Sequence, residues 1–160
     1  MYPDSNQQLS YETSDAIYWF SHAFDPLNNW SANAVSIWGQ SFPTVEHGYH
    51  WRKFSETDPE VASEILAAKS PWSAMQIERK HKDKKREDWQ EVKVNIMTDL
   101  VRAKVNQNED VQACLRSTTN KRIVENSPWD SFWGVGKNGD GKNMMGEILM
   151  RIRSELEANQ

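Results

Sequence analysis

The stretch Val35-Ser-Ile-Trp-Gly-Gln-Ser-Phe-Pro-Thr-Val-Glu-His-Gly-Tyr-His-Trp-Arg-Lys-Phe54 passes from extended to helical chain, and that switch sets the fold class. Val35 and Ile37, continued by Trp38, read as a short strand, and Gly39-Gln40 turns the chain into Ser41-Phe42. Pro43 stops the extended chain, and Thr44 is placed to cap a helix running to about Phe54. Upstream, Ala16-Ile-Tyr-Trp-Phe20 is aromatic and β-prone, and Asp25-Pro-Leu-Asn-Asn29 carries turn chemistry. Downstream, Asp58-Pro59 predicts a helix from Glu60 to about Lys69, and Ser70-Pro71 repeats the signal for a helix from Trp72. Trp89, Val92, Ile96, Leu100 and Ala103 then hold helical spacing. A short helix at Val111–Leu115, a strand at Arg122-Ile-Val124 and a Gly- and Trp-rich loop to Asn143 lead into a last helix. That helix turns Met145, Leu149, Ile152 and Leu156 inward. Helix outweighs short, scattered strands, which predicts an α+β, mainly helical domain with a small β-sheet. No βαβ alternation or internal repeat appears. Residues 1–13 read as a flexible N-terminal tail and 14–160 as one domain.

Composition narrows the function classes. The 160 residues carry a net charge of −4, so no global positive field points to a polyanionic partner. The lysine-rich run Arg79–Arg86 reads as a solvated helix end or loop. No apolar run approaches the ~20 residues of a membrane span, and the polar N-terminus lacks a signal pattern. A lone cysteine, Cys114, suits a reducing compartment and reads as a buried thiol. These features predict a cytoplasmic protein without a membrane partner, nuclear being an option in a eukaryote. Eight tryptophans in so small a chain suit both a core and flat ligands that stack.

Two constellations could carry chemistry. On the Thr44–Phe54 helix, Glu46, His50 and Lys53 project from one side, with Glu46 and Lys53 about 20° apart in azimuth and roughly 10.5 Å apart in rise. A carboxylate and an ammonium could therefore border one site, although spacing alone is better described by a partly exposed face with a loose Glu46–Lys53 ion pair. His47-x-x-His50 lacks a third ligand and His47 points off that face, so no metal is assigned. The second constellation is the Trp129–Asn143 loop, which joins Asp130 to glycines and to the start of a helix, where free N–H groups attract phosphate. Gly136-x-x-x-x-Gly141-Lys142 imitates a nucleotide-binding loop but puts Asn143 where a Mg²⁺-binding hydroxyl is needed, and no long apolar strand precedes it. An NTPase ranks last among the readings on that ground. Trp89 is either a core anchor or a stacking platform.

Three separated segments together resemble the NADAR family of YbiA-like N-glycosidases. They are Phe42–Phe54; Asp88-Trp-Gln-Glu-Val-Lys-x-x-Ile-Met97; and Asp130-x-Phe-Trp-Gly-x-Gly with Gly141-Lys-Asn-x-x-Gly146 and Leu149-Met-x-x-Arg153. The resemblance covers about Ile17 to Leu156. The family's opening Ser-Asn-Phe motif stands here as Asn28-Asn29-Trp30, which keeps Asn29 as a candidate and lets Trp30 reshape the pocket.

The resemblance implies a compact YbiA-like domain, with no cofactor, that hydrolyses the C1′–N bond of a ribose phosphate. It implies Glu46, Lys53 and Asp130 as catalytic residues. Asn29, Trp30, His50, Trp89, Trp133, Gly134, Gly136 and Asn143 would bind substrate, the two tryptophans by stacking and the glycines with the Asn143 helix start by accepting phosphate. Two chemistries stay open: a Lys53 imine with the opened ribose, and direct water attack with Glu46 and Asp130 as the carboxylate pair. Two substrate classes stay open as well. One is ADP-ribose on guanine in DNA, in functional pairing with a DNA ADP-ribosylating toxin; the basic Arg79–Arg86 run tilts the reading that way. The other is the early ribosylaminopyrimidine phosphates of riboflavin synthesis. A non-catalytic ADP-ribose-binding module is the alternative from a different class.

Overall fold

The computed structural model describes residues 9–20 and 25–159. Among these, six α-helices and five short strands give the expected helical α+β fold. The backbone gathers into two compact units: Asn29–Val111, and the described residues before Asn29 together with those from Gln112 onward. No composition shift marks this division, because the second unit forms when distant parts of the chain pair in a sheet.

That sheet has the order β1 (Tyr11–Glu12), β2 (Ala16–Trp19), β5 (Arg122–Glu125). β2 and β5 run parallel, with Ile17 beside Ile123 and Tyr18 beside Val124. β1 corrects the expectation of a loose tail through Thr13. Tyr11 and Glu12 pair antiparallel with β2, and the Tyr11 ring stacks on Tyr18 at 4.4 Å. Residues 1–8 of that tail lie outside the described residues. Helix α6 (Met144–Ala158) packs on β5 and buries Met145, Ile148, Leu149 and Ile152. It also buries Arg153, which donates to Thr118 Oγ1 at 2.7 Å and to the Lys121 carbonyl at 2.8 Å. Leu156, expected inward, is half-buried.

The other unit begins with the hairpin β3 (Val35–Ile37) and β4 (Gln40–Phe42). Trp38 and Gly39 form its two-residue turn with φ of +54° and +73°. Trp38 therefore does not extend the strand. A type I′ two-residue turn needs left-handed backbone at both positions, and the indole here is held by stacking on Trp51 and by the Arg52 guanidinium 5.2 Å above its ring.

Helix α1 spans Val45–Arg52, capped by Thr44, whose Oγ1 accepts from the His47 N–H at 3.2 Å. Such a cap stabilises a helix by about 1 kcal/mol. The helix ends two residues before the expected Phe54, and Lys53 is its C-cap. Helix α2 is Pro59–Leu66, shorter than expected, and α3 is Pro71–Lys80; Asp58 and Ser70 cap them as the sequence foretells. Phe54, Val61, Ala62, Ile65 and Ala74 form a core shared by the α1 end, α2 and α3.

Helix α4 (Trp89–Gln107) lies against α1 at Gly48, where a Cβ would approach Leu100 Cδ2 to 2.7 Å. Glycine inside a helix costs about 1 kcal/mol relative to alanine, and here it lets two helices close on each other. Ala103 is half-buried, whereas Lys104 is buried and donates to Ser31 Oγ at 2.7 Å. Helix α5 is Glu109–Ser117, and Cys114 on it is half-buried rather than fully enclosed. No helix among the described residues is long and apolar enough to cross a membrane.

Candidate active site

Lys53, the C-cap of α1, is a buried lysine. Its charged end is buried, with 8 % of the side chain exposed, and its Nζ donates to Glu78 Oε1 at 2.9 Å. Two aromatic faces complete the enclosure, with Nζ 4.9 Å from the Tyr49 ring centre and 5.2 Å from that of Trp89. The rings meet edge to face at 4.9 Å. Local structure explains the placement. Tyr49 and Lys53 are four residues apart on or just beyond α1, Glu78 stands in the last turn of α3, and Trp89 opens α4. The segment after α3 closes over the same point, because the Arg86 N–H donates to the Lys53 carbonyl at 2.9 Å. Burial pushes the Lys53 ammonium below its usual range; Glu78 and then Glu46 oppose that shift, and nearby Lys85 adds to it. Desolvation thus makes this ammonium lose its proton more readily than a free lysine's would, against the opposing pull of Glu78.

Glu46 sits two turns before Lys53 on α1, its side chain 14 % exposed, and accepts from His50 Nε2 at 2.8 Å. Burial pushes this carboxyl up. The His50 ring, the Lys53 ammonium and a hydrogen bond from Trp30 together outweigh burial and hold it below the usual carboxylate range. The expected loose Glu46–Lys53 pair is replaced by two tight pairs. Glu46 takes His50 and Lys53 takes Glu78, because a lysine at the helix end reaches across to α3. Asn29 anchors this turn through its backbone: its carbonyl accepts from the Glu46 N–H at 3.2 Å, and its Nδ2 lies 3.4 Å from Met97 Sδ. Trp30 stands at the surface beside Trp72, the rings 6.5 Å apart edge to face.

Trp89 is 3 % exposed. Its ring is a wall against Lys53 rather than an open platform. His47 has both ring nitrogens engaged, Nδ1 2.8 Å from Thr44 Oγ1 and Nε2 3.0 Å from the Ala68 carbonyl, so it is a buried structural histidine. Burial also lowers its pKa from the ordinary value.

The Trp129–Asn143 loop belongs to the other unit, and its polar groups serve its own fold. Asp130 Oδ1 accepts from the backbone N–H groups of Phe132 and Trp133, both at 2.8 Å. The Trp133 ring meets Phe132 edge-on at 4.9 Å. Asn143 is 1 % exposed and joins loop to strand: its Oδ1 accepts from Glu125 N–H at 2.8 Å and its Nδ2 donates to the Ile123 carbonyl at 2.9 Å. The N–H groups of Lys142, Asn143, Met144 and Met145 donate to the carbonyls of Ser131, Gly134, Phe132 and Trp133. The expected phosphate donors at the Asn143 helix start are therefore engaged by the loop itself. Gly134 and Gly136 are buried. A Cβ on Gly134 would approach the Glu125 carbonyl to 2.8 Å, and Gly136 has φ +67°, so both are needed for packing and turning.

Sequence reasoning missed Tyr49 and Glu78. Tyr49 was within reach, since it lies four residues before Lys53 on the face already singled out. Glu78 lies 25 residues from Lys53 beside a basic run, and no local spacing links the two.

Comparison with known proteins shows the family and the fold. The model described as the NADAR domain matches residues 10–157. N-glycosidase YbiA of Shigella boydii is 32% identical over 157 residues, covering 96% of this chain and 97% of that protein. A riboflavin biosynthesis protein of Vibrio vulnificus is 33% identical over 137 residues, covering 86% of this chain and 36% of that protein. The NMR structure of YbiA from Escherichia coli matches with a TM-score of 0.81 at 30% identity, covering 96% of this chain and 92% of the other. Fold and relatives together define an N-glycosyl hydrolase. The chain belongs to the NADAR family.

Proposed function

We propose that the chain hydrolyses the bond between C1′ of a phosphorylated ribose and an amine nitrogen of a base, through an imine on Lys53. The observation that carries this reading is the Lys53 amine, desolvated and lowered in pKa, held between two aromatic faces. A lysine in such surroundings is a Schiff-base nucleophile. Glu46, hydrogen-bonded to His50, supplies the proton relay that opening of the sugar ring needs. Water then hydrolyses the lysine imine and releases the sugar phosphate.

A ribosylaminopyrimidine phosphate is the substrate class we favour. The match to a relative named for riboflavin biosynthesis supports it. Guanine ADP-ribosylated in DNA is the second reading, and exposed Arg79, Lys80 and Lys82 favour it. That basic run is partly neutralised: Lys84 pairs with Asp58 at 2.9 Å and Arg86 with Asp88 at 2.6 Å.

The experiment incubates purified protein separately with a phosphoribosylaminopyrimidine and with ADP-ribosylated DNA, and measures released sugar phosphate and free base. Faster release from the pyrimidine supports the first class, and release from DNA alone transfers the assignment to the second. Release from neither, by protein that is fully folded, rejects the proposed activity.

A further inference from the structure

Lys53 has an ion-pair partner, Glu78, that takes no part in ring opening by Glu46. Glu78 comes from α3, 25 residues along the chain, and its side chain is 12 % exposed where it meets Nζ at 2.9 Å. A buried ion pair contributes little net stability, since both ions lose their hydration. The charged groups acting on Nζ are Glu78, Glu46 and Lys85, with the Tyr49 and Trp89 rings as its apolar walls. Glu46 has its own close partner in His50. Glu78 is thus the only carboxylate, among the described residues, within ion-pair distance of the amine.

We propose that Glu78 is a positioning residue of the reaction, which aims Nζ and takes one of its protons when Lys53 becomes a nucleophile. This rests on the reading of Lys53 as the imine-forming amine. In the opened sugar, C1′ is double-bonded to the base nitrogen as an iminium. The Lys53 ammonium passes one proton to Oε1 of Glu78, and the freed lone pair on Nζ forms the bond to C1′. The C1′–N π pair returns to the base nitrogen. A second proton moves from Nζ to that nitrogen, the C1′–base bond breaks with its pair on the departing neutral amine, and Nζ=C1′ forms as the new iminium. Water adds to C1′ and releases the aldehyde sugar and a proton, which balances the one consumed in ring opening. Nζ then regains its proton from Glu78, and the pair is restored. The 2.9 Å contact lets that transfer occur without movement of either chain segment.

The test measures two things on full-length protein: the pKa of Lys53 without substrate, by competitive acetic anhydride labelling read by peptide mass spectrometry, and the rate of borohydride-trapped adduct with a phosphoribosylaminopyrimidine. Removing the carboxylate in Glu78→Gln takes away a charge that raises the amine pKa. The labelling midpoint therefore moves down by about one unit or more, while the plateau trapping rate falls by on the order of 10²-fold. Glu78→Asp keeps the charge at shorter reach, so its midpoint stays nearer the original and its rate falls by about tenfold. A midpoint and plateau unchanged in Glu78→Gln overturn the proposal. If that variant does not fold, a Glu78→Asp plateau equal to the parent's does so instead. Absence of any adduct in the parent, with the midpoint shift still present in Glu78→Gln, rejects the imine reading while leaving the Glu78–Lys53 coupling intact.

Discussion

The α1–α3–α4 cluster and the Trp129–Asn143 loop are both rich in polar groups and tryptophan, yet they use them in opposite ways. In the loop, Asp130 and Asn143 cap backbone groups and the helix-start N–H donors bind loop carbonyls, so polarity is consumed in holding a shape. In the cluster, Lys53 pairs with Glu78 against two aromatic faces, and Glu46 accepts a hydrogen bond from His50. Buried backbone bonds raise stability when satisfied. Buried charge pairs do so poorly, and an apolar replacement of similar volume is often as stable or more so. The contrast teaches that a polar, Trp-rich motif is not evidence of chemistry until its partners are known.

The largest expected effect separates the two regions by activity. Lys53→Ala should lower turnover by on the order of 10³-fold or more with the circular dichroism spectrum unchanged; retained turnover would make the cluster structural. Next comes stability. Asn143→Ala leaves the Glu125 N–H and the Ile123 carbonyl without their bonds, and should cost about 3 kcal/mol in urea unfolding. A loss below the measurement error would remove the loop's scaffolding role.

The reverse experiment on the cluster is a smaller effect of opposite sign. Replacing both charges, Lys53→Met with Glu78→Leu, should leave stability unchanged or raise it by about 1–3 kcal/mol while abolishing turnover. A large destabilisation would show the pair to be structural.

The smallest effect concerns acid. The Glu46 carboxyl is held below its ordinary value of 4.5 in the fold. Its contribution to stability is therefore fully present above its unfolded pKa and lost as pH falls through the lower folded value. Trp30→Phe removes one donor to that carboxylate and moves its folded value up toward the ordinary one, so the loss of stability on acidification should be smaller and complete at higher pH. Urea unfolding measured from pH 3 to 6 checks this, and coincident curves for the two proteins would contradict it.

Helix starts were legible because their signals are local: Thr44, Asp58 and Ser70 each cap a helix through a bond to the third residue on. The strand at Ala16–Trp19 was legible from its β-prone residues. Its partner Tyr11–Glu12 was not, since two residues carry no pattern and their pairing depends on a stack with Tyr18. Trp38 looked like strand because propensity favours it there, but the hairpin closure overrides propensity. Within the site, Glu46, His50 and Lys53 could be found from a single helix's periodicity. Glu78 could not, because its approach to Lys53 is set by how α1 and α3 pack. The loop's internal bonds were hidden for the same reason: Gly136, Gly141 and Asn143 form a plausible anion motif in one dimension, and only the fold shows carbonyls accepting from their N–H groups.

The most direct test of the central claim is peptide mapping after borohydride reduction during turnover of a phosphoribosylaminopyrimidine. The account predicts one sugar-phosphate adduct on the peptide containing Lys53, absent without substrate and absent in Lys53→Ala. Turnover that proceeds with no adduct on Lys53, or with the adduct on another lysine, would contradict it.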